Sequence, residues 1–189
     1  MIDLKHKPWL EGQKVTLRPF KEKDFPYIKE CLTDYEVLKL TGSDMDFDFV
    51  EEEEIILDWY RTRHLQTDRL DLAIVDQSQD ILVGEAVINL YDETKHSMNF
   101  RILIGPKGRN RGLGTEATQL LIDYVFKNTT LSQLTLSVLD FNPRARHVYE
   151  KVGFVKDNID ENELEFEGKW IDSINMKLTK EKWLKKKKV

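Results

Sequence analysis

Residues 105–117 read GPKGRNRGLGTEA, and this stretch decides the fold because a strand leads into it and a helix leaves it. It holds four glycines and three basic side chains. The preceding NFRILIG, residues 99–105, has the composition of a strand. Beyond the loop, apolar residues recur at the i, i+3, i+4, i+7 and i+8 positions of an amphipathic helix: Ala117, Leu120, Leu121, Tyr124 and Val125. The sequence therefore predicts a strand, a glycine-rich loop and a helix in direct succession.

This loop is suited to an anion. A loop that enters a helix presents unpaired backbone N–H groups at the positive end of the helix dipole, where phosphate or pyrophosphate can bind. Gly108, Gly112 and Gly114 lack a Cβ, so the backbone can bend and approach such an anion closely. The same composition also fits a plain connecting turn with solvated basic side chains, and glycine content alone leaves both interpretations open.

Two well-known phosphate motifs fit the loop poorly. The P-loop pattern fails because no Gly-Lys-Ser/Thr follows at the required spacing. The segment GLGTEA, residues 112–117, matches the dinucleotide fingerprint G-x-G-x-x-A, and Asp140 closes the next strand. A Rossmann fold needs several more strand–helix units, however, and fewer than fifty residues follow Asp140. An NAD-binding domain is therefore disfavoured.

The sequence around the loop predicts an α+β fold with a mixed sheet. Upstream, the pattern indicates one strand and three helices, at residues 14–20, 24–32, 35–40 and 48–63. Asp24 and Asp48 are the expected caps of the first and third helix. Three strands of an antiparallel meander follow, at residues 70–76, 81–92 and 96–105.

Downstream, a strand–helix unit and one or two final strands are expected. A strand at residues 134–140 precedes a helix that Asn142 caps, Pro143 opens and Gly153 ends. The remainder of the chain, through residues 168–179, supplies these final strands, and the Lys-rich residues 185–188 are expected to be disordered.

Length and composition indicate a single globular domain over residues 1–189, with its core at about 14–179. The chain is 40% hydrophobic and 33% charged, and its one cysteine, Cys31, excludes an internal disulfide and is expected to be buried in a helix. No apolar run approaches membrane-spanning length, so we expect a cytoplasmic protein without a membrane partner. The net charge of −5 argues against nucleic acid as a partner, and the histidine spacing predicts no metal site.

Three segments in the expected order resemble the GNAT (GCN5-related N-acetyltransferase) superfamily. Arg109-x-x-Gly112-x-Gly114 resembles its pyrophosphate-binding motif. NPRARHVYEKVGF, residues 142–154, is similar to its Asn-x-x-Ala…Tyr-Glu-Lys-x-Gly-Phe segment, and VTLRPFKEKDF, residues 15–25, is typical of the RimJ/RimL-like branch. The resemblance covers about residues 14–179. It implies a mixed, mostly antiparallel sheet of six or seven strands, splayed centrally, with helices on both faces and acetyl-CoA in the cleft.

The resemblance also implies how acetyl-CoA binds. Backbone amides of residues 109–115 would bind the pyrophosphate, and an N–H group of residues 100–104 would hold the thioester carbonyl as its charge develops. Asn142 matches a position that contacts CoA, which is compatible with a capping role. The implied cofactor-binding residues are Ile102, Leu103, Ile104, Arg109, Asn110, Arg111, Gly112, Leu113, Gly114, Thr115, Asn142 and Arg146.

Acyl transfer to an amine also needs a proton for the departing thiolate. The resemblance places Tyr149 where the family often keeps a tyrosine as general acid, and a phenol with a pKa near 10 suits a thiolate with a pKa around 8.5. The alternative is that Tyr149 is a core aromatic on the buried face of its helix.

The acceptor amine must also lose a proton before it can attack, because at pH 7 only about one in 2,500 molecules of an amine with a pKa near 10.4 is neutral. Strand alternation places Leu82, Ala86, Ile88 and Leu90 on one face, and Glu85 on the other with Val83, Val87, Asn89 and Tyr91. A carboxylate at such an apolar position has a partner or a task. Glu85 is therefore a candidate general base, with a salt bridge to Arg101 as the alternative. Asn89 and Asp92 are predicted to line the acceptor site.

The acidic stretch at residues 44–54 raises a further hypothesis, since helices before the meander commonly wall the acceptor site in this family. Its acids, Asp44, Asp46 and Glu51 among them, would attract a cationic acceptor, although such runs are usually solvated. We expect an N-acetyltransferase that acts on a small cationic amine or a peptide N-terminus by direct attack in a ternary complex. A non-catalytic acyl-CoA-binding or regulatory module is the alternative, and a homodimer is expected by family habit alone.

Overall fold

The structure, a computed structural model, describes residues 3–43 and 49–187, and of residues 50 and 51 it describes the backbone alone. The strands are β1 (Leu10–Glu11), β2 (Val15–Arg18), β3 (Leu70–Asp76), β4 (Ile81–Asp92), β5 (Ser97–Ile104), β6 (Gln133–Leu139), β7 (Val155–Phe166) and β8 (Lys169–Thr179). They form one open sheet in the order β1-β2-β3-β4-β5-β6-β8-β7. Neighbouring strands are antiparallel except β5 and β6, which are parallel.

The helices are α1 (Phe25–Leu32), α2 (Tyr35–Thr41), α3 (Phe49–Thr62), α4 (Leu113–Asn128), α5 (Pro143–Val152) and α6 (Lys180–Lys187). The ends of α5 are those predicted, because Asn142 caps it, Pro143 opens it and Gly153 ends it with φ 124°. Within the described ranges, no helix is both long and apolar enough to cross a bilayer.

Helices cover both faces of the sheet, as predicted. β3 is buried on both faces because its side chains alternate between two cores. Leu72 and Ile74 belong to a larger core with residues of α4, α5 and α6. Ala73 and Val75 belong to a second core with residues of α1 and α3, where Cys31 is buried as expected.

The sheet opens in its middle, between β5 and β6. These strands pair only from Ser97↔Gln133 to Asn99↔Thr135. Beyond that point β5 continues along β4 as far as Ile104, while β6 continues along β8 as far as Leu139. The two halves of the sheet therefore diverge, and the predicted central splay is present.

The fold class is confirmed, but the sheet has eight strands rather than six or seven. The additional strand β1 pairs only Leu10 with Leu17 and Glu11 with Thr16. A strand of two residues has no period that a sequence pattern could reveal.

Irregularities in β4 move some side chains to the face opposite the predicted one. The register of β4 against β3 shifts at Val83. Leu82 therefore packs in the core of α1 and α3, on the same side as Glu85, and Val83 packs in the core of α4. A second irregularity near the end of β4 leaves Leu90 exposed with φ 54°.

Asp24 stands at the N-cap position of α1, but its carboxylate does not cap the helix. It accepts two hydrogen bonds from Arg18, at 2.6 and 2.9 Å, and one from Lys21 N–H. This buried ion pair, 3% and 1% exposed, explains why the expected cap bond is absent.

The Lys-rich end is helical rather than disordered as far as the structure describes it. Trp183 of α6 stacks against Phe126 with ring centroids 5.5 Å apart and donates a hydrogen bond to Asp123 at 2.7 Å. The apolar face that Trp183 provides explains why this basic segment docks on α4. Lys188 lies outside the described residues.

Candidate active site

A cleft of about 620 Å³ lies where β5 and β6 diverge. One wall is formed by residues 100–104 of β5 and the other by residues 137–139 of β6. The loop before α4, the first turn of α5 and parts of α2 complete the lining. The divergence of the two strands therefore creates the space that the resemblance assigns to acetyl-CoA.

The glycine-rich loop presents backbone N–H groups to this cleft. The first helical hydrogen bond of α4 runs from Glu116 N to Gly112 O at 3.2 Å, and no side chain caps the helix. The N–H groups of Leu113, Gly114 and Thr115 precede that bond, and all three residues line the cleft. Free N–H groups at the start of a helix are suited to a pyrophosphate.

Two glycines make this loop geometry possible. Gly112 has φ 76°, in the left-handed region that costs energy for other residues. At Gly108, a Cβ would lie 2.9 Å from Ile104 Cγ2 and 2.9 Å from Val83 Cβ. The loop can therefore pack tightly onto the sheet only while these positions carry no side chain.

Basic side chains of the loop are neutralised by acids of the first two helices. Arg109, 16% exposed, contacts the carboxylate of Asp34 and lies 3.2 Å from Glu36 Oε2. Lys107 pairs with Glu30. The anion-binding capacity of the loop consequently lies chiefly in its backbone.

Two of the arginines predicted to bind the cofactor lie outside the cleft. Arg111 forms an ion pair with Asp76 at 2.6 Å in a separate depression. Arg146 pairs with Glu150 at 3.0 Å along the surface of α5. The arginine of α5 that does line the cleft is Arg144.

The other predicted cofactor-binding residues do line the cleft. They are Ile102, Leu103, Ile104, Arg109, Asn110, Gly112, Leu113, Gly114, Thr115 and Asn142. Asn142 also caps α5, with its Oδ1 accepting a hydrogen bond from Ala145 N–H at 3.1 Å. Because residues 100–104 pair with β4 but not with β6, alternate N–H groups of this segment face the gap.

Tyr149 lines the cleft from α5 and is 7% exposed. Its ring packs edge-on against Phe100 and Phe154, with centroid separations of 6.3 and 6.1 Å. Burial raises the pKa of Tyr149 to about 12, so the phenol stays protonated at neutral pH. Within residues 3–43 and 49–187, its hydroxyl forms no hydrogen bond.

A family profile described as "Acetyltransferase (GNAT) domain" matches residues 14–155, a span that contains the loop, both cleft walls and α5. The chain belongs to the GNAT acetyltransferase family. It is an N-acetyltransferase with acetyl-CoA as its cosubstrate and an amine as the acetyl acceptor, as the sequence predicted. The free amides at the start of α4 and the apolar wall of β5 fit that cosubstrate.

Several similar proteins are known. The spermidine N(1)-acetyltransferase of Escherichia coli K12 is 27% identical over 92% of this chain and 90% of its own length. The probable N-acetyltransferase YjcK of Bacillus subtilis is 24% identical over 86% of this chain and 92% of its own. The Vibrio cholerae spermidine N-acetyltransferase, solved with CoA and spermine, superposes with a TM-score of 0.77 at 23% identity, covering 92% of this chain and 99% of that one. The last likeness confirms the fold.

Glu85 is buried at 3% exposure and does not line the cleft. Its Oε1 lies 3.5 Å from Arg101, which does line the cleft, so the predicted ion pair is present. Its Oε2 has no hydrogen-bond partner in the described part of the chain. Burial raises the pKa of Glu85, against the lowering effects of Arg101 and of the nearby Tyr60 hydroxyl. Arg101 therefore stands between this carboxyl and the cleft.

The predicted acceptor residues Asn89 and Asp92 do not line the cleft. Asn89 accepts a hydrogen bond from Asn99 at 3.1 Å, across β4 and β5. Asp92 is the last residue of β4, and its Oδ1 accepts hydrogen bonds from Thr94 and from Lys95 N–H in the turn that follows. The turn therefore uses one carboxylate oxygen of Asp92, and a role of Asn89 or Asp92 at the acceptor site stays a prediction.

Several lining residues were not anticipated. They come from α2, from β6 and from the β7–β8 hairpin, and include Val37, Thr41, Ser137, Leu139, Glu163 and Ser173. No local motif marks these residues, because they reach the cleft through the order of the strands and the position of α2. A polar residue in mid-strand, such as Ser137, is the weak signal that was present.

The hypothesis about the acidic stretch named Asp44, Asp46 and Glu51. Asp44 and Asp46 lie outside the described residues, and the side chain of Glu51 is not described. Two of the acids that follow are ion-paired: Glu53 with Lys29 and Glu54 with Arg61. In the described ranges, no cluster of His, Cys, Asp and Glu side chains is arranged to hold a metal ion.

Proposed function

We propose that this N-acetyltransferase acetylates a small polyamine of the spermidine type. The transfer reaction rests on one observation above all, the free N–H groups of Leu113, Gly114 and Thr115 at the edge of a cleft opened by strand divergence. The choice of acceptor is supported by a relative named spermidine N(1)-acetyltransferase, which is similar over 92% of this chain. A peptide N-terminus, the other acceptor class expected from the sequence, is the second candidate.

The amine attacks the thioester directly while both substrates are bound. The only thiol of the chain, Cys31, is buried beneath the sheet, and burial raises its pKa to about 12. A thiol that stays protonated and enclosed cannot serve as an acyl carrier, because the thiolate is the nucleophile.

Tyr149 donates a hydrogen bond to the departing sulfur. A pKa of about 12 means that complete proton transfer to a thiolate with a pKa around 8.5 is uphill. The phenol therefore acts mainly by stabilising the developing negative charge, and the CoA thiolate takes its proton from solvent as it leaves.

Glu85 serves as the general base through water beside Arg101, which would carry the amine proton to the carboxylate because Glu85 itself does not line the cleft. Burial raises the pKa of Glu85, which makes its carboxylate a stronger base. The unpartnered Oε2 supports a functional role, because a purely structural carboxylate is normally satisfied on both oxygens.

We also propose the finer assignments that the sequence predicted. They are a RimJ/RimL-like position within the superfamily, one domain over residues 1–189, a cytoplasmic location, and a possible homodimer without nucleic-acid or membrane partners. The segment at residues 15–25 supports the RimJ/RimL-like position.

The test is release of free thiol from acetyl-CoA with spermidine, spermine, aminosugars, amino acids and short peptides as acceptors. We expect turnover with the polyamines at micromolar to millimolar KM, as is common for enzymes. Turnover with peptides alone would replace the polyamine proposal by the second candidate. Binding of CoA without turnover of any amine would favour a non-catalytic acyl-CoA-binding module.

A further inference from the structure

A network of four charged side chains joins the glycine-rich loop, α2 and α5 around the cleft. Arg109 of the loop contacts both Asp34 and Glu36. Glu36 also holds Arg144 of α5, whose other guanidinium nitrogen lies 3.5 Å from Asn110 Oδ1. One carboxylate, that of Glu36, therefore links two cleft-lining arginines from two different elements.

The network is electrically balanced, with two guanidinium groups and two carboxylates. Asp34 is the N-cap of α2, where it accepts a hydrogen bond from Val37 N–H at 2.9 Å. Burial pushes the pKa of Asp34 upward, but the hydrogen bonds from Arg109 and from Val37 N–H outweigh burial and lower it. Asp34 is therefore charged at neutral pH and neutralises Arg109.

Binding of CoA brings phosphate oxygens to the same place. The free amides of residues 113–115 lie in one cleft with Arg109 and Arg144. Phosphates compete strongly for guanidinium groups, because charge-assisted paired hydrogen bonds are the strongest that arginine makes. They also repel Asp34 and Glu36 at short range.

We propose that Asp34 and Glu36 are internal counter-ions that the CoA phosphates displace from Arg109 and Arg144. Displacement frees the first turn of α2, whereas its last turn stays anchored where the Lys39 ammonium lies over the rings of Phe141 and Phe166, 5.7 and 5.1 Å from their centroids. Because α2 also lines the cleft, the two acids act as positioning residues that couple cosubstrate binding to the shape of the cleft. This inference rests on acetyl-CoA binding in the cleft.

The test is the Kd for CoA of Glu36→Gln, which removes one counter-ion from a 41% exposed position and should fold normally. We expect binding about three- to tenfold tighter than wild type at low salt, because a competing charge is lost. The gain should shrink as salt rises. The KM for acetylpantetheine, which carries no phosphate, should change by less than the Kd for CoA, whereas a general disturbance of the cleft would change both alike.

Two further variants sharpen the result. Asp34→Asn removes the other charge yet keeps a side chain that can cap α2, so it should also tighten CoA binding. Glu30→Gln is the matched control, because Glu30 pairs with Lys107 of the same loop but neither residue lines the cleft. Its Kd for CoA should stay within about twofold of wild type.

Unchanged or weaker CoA binding by both Glu36→Gln and Asp34→Asn would overturn the counter-ion role. Weaker binding would show instead that the acids orient the arginines for phosphate. Wild-type protein is titrated first, and failure of the wild type to bind CoA would overturn the cosubstrate site itself, before any variant is compared.

Discussion

Tyr149 shows how burial determines what a side chain can do. The ring lies among Phe100 and Phe154, which removes water from the phenol and raises its pKa to about 12. The sequence suggested a phenol matched to a thiolate, but the folded environment makes it a much weaker acid. Its hydroxyl can still donate a hydrogen bond to a developing negative charge.

Tyr149→Phe is expected to lower kcat about 10- to 100-fold, the effect of losing one hydrogen bond to a charged group. The KM for acetyl-CoA and the Tm should change little, because the ring and its packing are retained. Steady-state kinetics, with the best acceptor found in the thiol-release assay, measures kcat and KM for the wild type and the variant. Tyr124→Phe, on α4 outside the cleft, is the control and should keep wild-type kcat. A full wild-type kcat for Tyr149→Phe would remove the tyrosine from the mechanism.

Glu85 provides a second prediction at the residue scale, through pH. Its pKa is higher in the folded protein than in the unfolded chain because burial disfavours the carboxylate. The stability associated with the protonated form is fully present below the ordinary carboxyl pKa and is lost as pH rises through the folded pKa. Glu85→Gln imitates the protonated form, so it should raise the Tm more at pH 8 than at pH 4.

The expected result is a larger rise in Tm at pH 8 than at pH 4. Thermal unfolding of wild type and variant at both pH values measures it, and the same variant should lose activity if Glu85 is the base. Glu150→Gln, in an exposed pair with Arg146, is the surface control. Equal Tm shifts at pH 4 and pH 8 would contradict the raised pKa.

At the scale of elements, the loop before α4 combines a helix start with a left-handed turn. Gly112 at φ 76° directs the following N–H groups into the cleft, and Glu116 in the first turn binds the start of β2. The carboxylate of Glu116 accepts hydrogen bonds from the N–H groups of Gln13, Lys14 and Val15 at 2.8, 2.8 and 2.9 Å. Glu116 thus joins the start of α4 to the start of β2.

Gly112→Ala is expected to destabilise the protein by about 1–2 kcal/mol and to weaken CoA binding at least tenfold, because a Cβ is strained in the left-handed region and displaces the amides. Gly168 is a matched control in the β7–β8 turn, with φ 73° and no atom within 4 Å of an added Cβ. Gly168→Ala should carry a similar strain but leave the Kd for CoA unchanged. Equal CoA binding by Gly112→Ala and wild type, in a titration at one temperature, would contradict the role of the loop.

At the scale of the whole molecule, the divergence of two central strands opens the cleft in the sheet. The parallel contact of β5 and β6 is short, and each strand then follows its antiparallel neighbour, β4 or β8. The larger core nevertheless continues across the gap, because it includes residues of β2 to β5 and also residues of β6 and β8. The cleft is therefore a consequence of strand order, and residues of α2 and α5 complete its lining.

The sequence by itself determined the features that depend on neighbouring residues. The cap of α5 and the glycine spacing 108, 112 and 114 are local, so the fold class, the position of the glycine-rich loop between a strand and a helix, and the ends of α5 were all predictable. Tyr149 and Asn142 were placed correctly in the cleft because a short motif carries both.

Only the tertiary structure decided which charges meet. Arg144 and Arg146 lie two residues apart, and hence on different sides of α5, and the motif does not say which side faces the cleft. The pairing of Arg109 with Asp34, the seclusion of Glu85 behind Arg101, and the use of Asp92 in a turn are likewise set by packing. The physical reason is that electrostatic partners are chosen by distance in space, whereas a sequence pattern reports only distance along the chain.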